Sequence, residues 1–198
     1  MAHLLHITAS MRGEQSVSNQ IGAALLDTIQ SDGDTVTLRD LSRNDIPFVD
    51  AARFEANLTP AADRTPAQAQ LAHVADTLIA ELQAADTIVF STPVYNFGVP
   101  AVVKAWADMV ARAGTTFQYT ENGPEGLLDR KKAYITASSG GTPIGSDMDF
   151  MSSWLTFFLG FLGIKDVDII AADGIMGQDG AAKIEAAVAK AKAFGAAV

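Results

Sequence analysis

Five short runs rich in β-branched and apolar residues punctuate the chain: Leu4 to Thr8, Thr35 to Arg39, Asp86 to Phe90, Lys132 to Ala137 and Val167 to Ala172. Each has the length and composition of a buried strand. Between them the apolar positions recur every three or four residues, the spacing of one helical face. Ile21, Leu25, Leu26 and Ile29 form such a stripe in a helix opened by Ser16-Val17-Ser18-Asn19 and reaching about Gln30, with Ser16 or Ser18 as its cap. Thr65-Pro66 combines a capping hydroxyl with a first-turn proline, and the helix it opens runs to about Ala84. Val99 to Arg112 carries Val102, Val103, Trp106, Met109 and Val110 on one face. Asp147 is placed to cap a helix reaching Leu162, and Gly180 to Ala196 reads as a closing Ala/Lys-rich helix. Two stretches break the pattern: Asp40 to Arg64, with little periodicity, and Thr115 to Leu128, a polar, Gly/Pro-containing run with the aromatic residues Phe117 and Tyr119. Excursions of that length are usually functional or mobile.

Strands alternating with helices imply a parallel sheet covered on both faces. The expected fold is α/β and flavodoxin-like, three layers deep, with strand order 2-1-3-4-5 and residues 1–198 as one domain. In that order the carboxyl ends of strands one, three and four lie side by side, where open α/β sheets bind their ligands.

Composition narrows the chemistry. The chain has no cysteine, which excludes disulfides, thiolate catalysis and Cys-held metals. His3, His6 and His73 are too scattered for a metal cluster. His3 and His6 should face opposite sides of strand one and serve as core or surface residues. A formal net charge of −9 argues against nucleic-acid or anionic-membrane partners. Arg130-Lys131-Lys132, the sole basic run, reads as a solvated strand entry. With no apolar stretch of membrane-spanning length and no signal pattern, a cytoplasmic location is expected.

Three loops at the shared edge carry the chemistry. Ser10-Met11-Arg12-Gly13-Glu14-Gln15-Ser16-Val17-Ser18-Asn19 brings hydroxyls and free amides to a helix start, a setting that favours an anion. It lacks the glycine spacing of a dinucleotide turn and the lysine of a P-loop. A single phosphate monoester fits it better, with Arg12 as counter-charge. Pro93-Val94-Tyr95-Asn96-Phe97 offers a flat, hydrogen-bonding wall, in a loop that prolines stiffen. Ser138-Ser139-Gly140-Gly141 lets backbone donors approach a ring carbonyl closely. FMN, with one phosphate, a polar ribityl chain and a large flat ring, needs each of these features.

At these residues the sequence resembles the FMN-dependent NADH-azoreductases, which are also quinone reductases. The matching segments include Ser16-Val17-Ser18-Asn19, Pro93-Val94-Tyr95-Asn96-Phe97, Lys104-Ala105-Trp106-Ala107-Asp108 and Arg112-Ala113-Gly114-Thr115-Thr116-Phe117. Glu121-Asn122-Gly123-Pro124-Glu125-Gly126-Leu127 and Phe158-Leu159-Gly160-Phe161-Leu162-Gly163-Ile164 extend the likeness over nearly the whole chain. The resemblance implies that Ser10 and Ser16-Val17-Ser18 hold the FMN phosphate. It also implies that Val94-Tyr95-Asn96-Phe97 and Ser138-Ser139-Gly140-Gly141 contact the ring. Tyr119 and Phe161 would line a substrate space near the twofold interface of a homodimer. NADH or NADPH would be the donor, and a quinone or aromatic azo compound the acceptor, in a ping-pong cycle. No acid–base pair or metal is expected, and Asp108 and Arg112 read as a structural i, i+4 pair. Two departures stand out: Ser139 where family members carry arginine, and Val94 where methionine is common. The alternatives are a related flavin or nitroaromatic reductase and a non-enzymatic FMN electron carrier. The long excursions favour the enzyme, because they could wall off a substrate space.

Overall fold

The computed structural model describes residues 1–43 and 45–195. The strands β1 (His3–Thr8), β2 (Thr35–Asp40) and β3 (Thr87–Pro93) are joined by α1 (Val17–Ile29), then by α2 (Ala51–Leu58) and α3 (Pro66–Ala84). Helix α4 (Ala101–Val110) leads to a hairpin of β4 (Phe117–Thr120) and β5 (Gly123–Gly126). Then come β6 (Lys132–Ser138), α5 (Phe150–Phe161), β7 (Asp166–Ala172) and α6 (Gly180–Gly195). The five long strands form one parallel sheet in the order β2-β1-β3-β6-β7, the expected topology with the hairpin inserted.

Strand alternation divides the core in two. Leu5, Ile7, Ile88, Phe90, Ala133 and Ile135 face α3, α4 and α5, where Trp106 meets Phe90 edge-on at 5.2 Å between ring centroids. Leu4, Val89 and Tyr134 face α1 and α6. The next inward positions on that second face, His6, Ser91 and Thr136, are polar and buried.

Several expectations need correction. The Asp40–Arg64 excursion contains α2, whose first turn is capped by the Asp50 side chain accepting from Arg53 N. It packs on α3, because a helix this short depends on tertiary contacts. The Thr115–Leu128 excursion folds as the β4–β5 hairpin, seated on the end of α5, where Leu128 N donates to Leu162 O. Helix α5 is capped by Asp149, not Asp147: Asp149 accepts from Ser152 N and also from Gly145 N, so it closes the preceding turn. Asp108 pairs with Lys104 rather than Arg112. Arg112 instead reaches Asp76 on α3 at 2.6 Å, and Arg64 meets the same carboxylate from the other side. Burial pushes the Asp76 carboxyl up, but the two arginines outweigh it and hold it below its ordinary value. Within the basic run, Arg130 is exposed, whereas Lys131 donates to the carbonyls of Gln83 and Ala85. Lys132 is paired with Asp166 and Asp168. Strand β3 continues through Ser91 to Pro93, so its loop starts at Val94. Helix α4 is shorter at both ends than Val99 to Arg112. The expected end of α6, Ala196, lies outside the described residues.

Burial pushes the His6 imidazole down to about 4. Between that value and the ordinary one near 6.5, the unfolded chain binds more protons than the folded one. Stability from this group is therefore complete above about pH 6.5 and falls as the pH drops toward 4, by about 3 kcal/mol in total. Urea denaturation across that window should show the slope in the wild type, and His6→Gln should flatten it.

Candidate functional site

A parallel sheet with helical crossovers sends every strand's exit loop to one edge. There Ala9 N donates to Ser91 O, and Val94 N donates to Ser138 O at 2.8 Å, tying the loops after β1, β3 and β6 together. Helix α1 begins beside them with Ser16 as N-cap, its hydroxyl accepting from Asn19 N at 3.3 Å. Ser18 Oγ lies 3.0 Å from Ser16 Oγ and is fully buried behind it. The amides of Val17 and Ser18 have no intrahelical acceptor, as at every helix start. No acidic residue occupies the first turn of α1, and Arg12 stands next to it. Free amides, hydroxyls and one guanidinium make this corner attractive to an anion.

The β3 loop turns tightly at Tyr95–Gly98, where each end donates its N–H to the other's carbonyl at 3.0 Å. The two central residues, Asn96 and Phe97, have φ of 49° and 69°. Positive φ at both positions is the type I′ geometry, easy for Asn and strained for Phe. The turn holds Phe97 half exposed, and Phe97 O accepts from Phe150 N at the start of α5. In the β6 loop, Ser139 turns inward: its hydroxyl accepts from Thr142 N at 2.8 Å, and its backbone bonds to Ala172 and Ile175.

These loops enclose a cavity of about 100 Å³. Of the residues expected at a cofactor, Ser10, Ser16, Val17, Pro93, Val94, Tyr95, Ser138 and Gly140 line it, together with Arg12. Asn96, Phe97, Ser18, Ser139 and Gly141 do not border it, and Ser18 lies behind Ser16. The Tyr95 hydroxyl is buried and without a protein partner. Two residues not anticipated from the sequence, Ile175 and Met176, close the fourth side from the loop after β7, where Met176 N donates to Gly140 O. That loop also leaves the carboxyl edge, and its Gly174 and Gly177 were the available signal.

Tyr119 and Phe161 are not brought to this cavity within the same chain. Both pack on Phe117, at 5.4 and 4.5 Å between ring centroids. Phe161 borders a larger space of about 880 Å³ at the opposite edge, with Arg130, Lys132 and Asp166. Neither long excursion contributes a residue to the small cavity.

Comparison with known proteins bears out the flavodoxin-like fold. A family profile described as flavodoxin-like fold matches residues 2–194. The chain is 62% identical over 188 residues to an FMN-dependent NADH:quinone oxidoreductase of Erythrobacter litoralis (strain HTCC2594), covering 94% of this chain and 95% of that one. It is 50% identical over 176 residues to an FMN-dependent NADH:quinone oxidoreductase of Jannaschia sp. (strain CCS1), covering 89% and 90%. Among solved structures, an azoreductase from Bacillus anthracis str. Sterne matches with a TM-score of 0.90 at 26% identity over the full length of both chains.

The strained turn yields a test that needs no ligand. Asn96→Ala should destabilise the flavin-free protein by about 1 kcal/mol, the cost of left-handed backbone for a residue with a Cβ. Asn96→Gly, which tolerates positive φ, should cost less. Equal losses in chemical denaturation would mean that the turn conformation is not the source.

Proposed function

Because the chain belongs to the flavodoxin-like fold family, we propose that it is an FMN-dependent NADH:quinone oxidoreductase that also cleaves aromatic azo compounds. The observation that carries this reading is the corner where Ser10, Arg12, Ser16 and the first amides of α1 meet under the Tyr95 and Gly140 loops. The enclosed space suits a phosphate, and a flat ring must then lie on the open rim between Val94-Tyr95-Asn96-Phe97 and Ser138-Gly140. FMN held there would supply hydride chemistry between NADH or NADPH and a quinone or azo acceptor, used in a ping-pong cycle.

The chain's own residues bind and orient. Ser16 donates its hydroxyl to the phosphate, with Ser18 supporting it from behind. Arg12 balances the charge. The buried Tyr95 hydroxyl and the Gly140 backbone supply donors at the rim, and Phe97 and Met176 shield the ring from water. Ser139 stands where arginine is common, and a loop of Ser138-Ser139-Gly140-Gly141 carries no charge. The wall therefore places no demand for a carboxylate or sulfonate on the acceptor, and neutral quinones suit it.

Residues 1–198 act as one cytoplasmic flavin-binding domain, and two copies form a homodimer. Support for the dimer comes from exposed apolar side chains: Phe97, Met148, Phe150, Phe157 and Met176 are each at least half exposed. Tyr119, 77% exposed, and Phe161 sit away from their own chain's cavity and are available to the partner's site. Among the described residues, no helix is long and apolar enough to cross a membrane. An electron carrier of the same fold would bind FMN yet consume NADH slowly without a reductase. Rapid NADH loss on adding menadione to the purified flavoprotein separates the two, and absence of turnover would overturn the enzyme reading. Light scattering at assay concentration should give a dimer, and a fully active monomer would refute that part.

Ser16 has two possible duties with different consequences. As a cap alone, its loss in Ser16→Ala costs about 1 kcal/mol of stability and leaves flavin affinity unchanged. As a phosphate donor, its loss also costs roughly 1.5–3 kcal/mol of binding, or about 10- to 150-fold in FMN affinity. Riboflavin, with the same ring and no phosphate, should be unaffected. The expected result is a wild-type preference for FMN that collapses in the mutant, measured by fluorescence titration.

A further inference from the structure

Beneath the first turn of α1 lies a buried polar chain in which no member borders the cavity. His6 Nε2 on β1 is 2.8 Å from Ser91 Oγ on β3, and Ser91 Oγ is 2.7 Å from Thr136 Oγ1 on β6. Thr136 Oγ1 in turn is 3.1 Å from the backbone carbonyl oxygen of Ser18. Ser91 and Thr136 are fully buried and His6 nearly so. They are central polar positions on the sheet face that also packs Leu4, Val89 and Tyr134 against α1 and α6.

The direction of the chain follows from proton counting. A carbonyl only accepts, so the Thr136 hydroxyl spends its single proton on Ser18 O. Thr136 Oγ1 then accepts from Ser91, and Ser91 Oγ accepts from His6, which must carry its proton on Nε2. Every donor in the line points toward α1. Burial of hydroxyls and an imidazole is costly unless they are bonded, so the arrangement specifies one position of the helix rather than a range.

Gly22, one turn further along α1, makes the approach possible. A Cβ there would sit 2.1 Å from Ser91 Oγ and 2.9 Å from His6 Nε2. The helix therefore rests directly on the polar chain, with Thr136 gripping the carbonyl of Ser18, whose own amide belongs to the anion corner.

We propose that His6, Ser91 and Thr136 are positioning residues for the phosphate corner, setting the height of the first turn of α1 above the sheet so that the Ser16 hydroxyl and the amides of Val17 and Ser18 converge on one point. This rests on the reading that FMN phosphate binds there. An anion held by several short bonds to one helix turn is sensitive to small displacements of that turn. A flat ring at the rim, held by the loops after β3 and β6, is not.

The test uses flavin-free full-length protein and compares FMN with riboflavin by fluorescence titration. Thr136→Val keeps the side-chain shape and removes the grip on Ser18. It should weaken FMN binding about tenfold or more and change riboflavin binding less than about twofold. Thr136→Ser, which restores the hydroxyl, should recover most of the FMN affinity. Ser91→Ala should shift FMN in the same direction by a smaller factor, and it carries the test if Thr136→Val does not fold. Equal weakening of both flavins, or an FMN preference undiminished in the folded variants, would overturn the proposal alone. A wild type that binds FMN no better than riboflavin would overturn the phosphate reading and this inference with it.

Discussion

The site depends on how closely α1 can lie against the sheet. Its first turn must face the loops leaving β3 and β6, and side-chain bulk under the helix would lift it away. Gly22 removes that bulk at the point of contact, and hydroxyls on β3 and β6 replace the aliphatic layer that other inward positions use. A methyl-lined contact would have held the helix through dispersion alone, which tolerates sliding. Directional bonds from a buried hydroxyl do not. The polar layer thus exchanges some apolar burial for a fixed helix position, and the exchange makes sense only where position matters.

Much of this architecture was legible along the chain. Five strand runs, their helical partners and the strand order follow from hydrophobic period and from the topology rules of alternating elements. What escaped was local competition between equivalent signals. Asp147 and Asp149 are two residues apart and chemically identical, and the choice between them rests on the Gly145 turn, which only the folded loop provides. Asp108 had two cations at helical spacing, Lys104 before it and Arg112 after it. The second was taken by Asp76 from α3, a partner 36 residues away in sequence. Helix α2 was obscured because eight residues give too little periodicity to stand out from a proline-containing loop.

The site was legible to a similar degree. Residues expected at helix starts and strand exits line the cavity, since the rule for the carboxyl edge is general. Ser139 illustrates where it stops: position in the loop was correct, yet its hydroxyl closes onto Thr142 N, facing away from the cavity. A backbone turn decides which of two adjacent serines looks outward, and Ser138-Ser139 carries no mark of the difference. Ile175 and Met176 carry no mark in the sequence beyond their glycine neighbours, and they complete the wall from the end of a fourth strand.

The strained turn and the polar layer have the same logic at different places. Phe97 holds left-handed backbone at some cost because the reciprocal bonds between Tyr95 and Gly98 and the link to Phe150 fix it. Strain of that kind persists only when the surroundings over-determine it. The polar chain under α1 is likewise less favourable than an apolar layer would be and survives because every proton in it has a bonded acceptor. Both departures from the most stable choice lie next to one small cavity, while Thr8 and Thr92 are further buried polar positions of the sheet and Arg130 holds left-handed backbone elsewhere. A local cost of this kind beside a cavity is expected where folding has been constrained by a ligand as well as by stability.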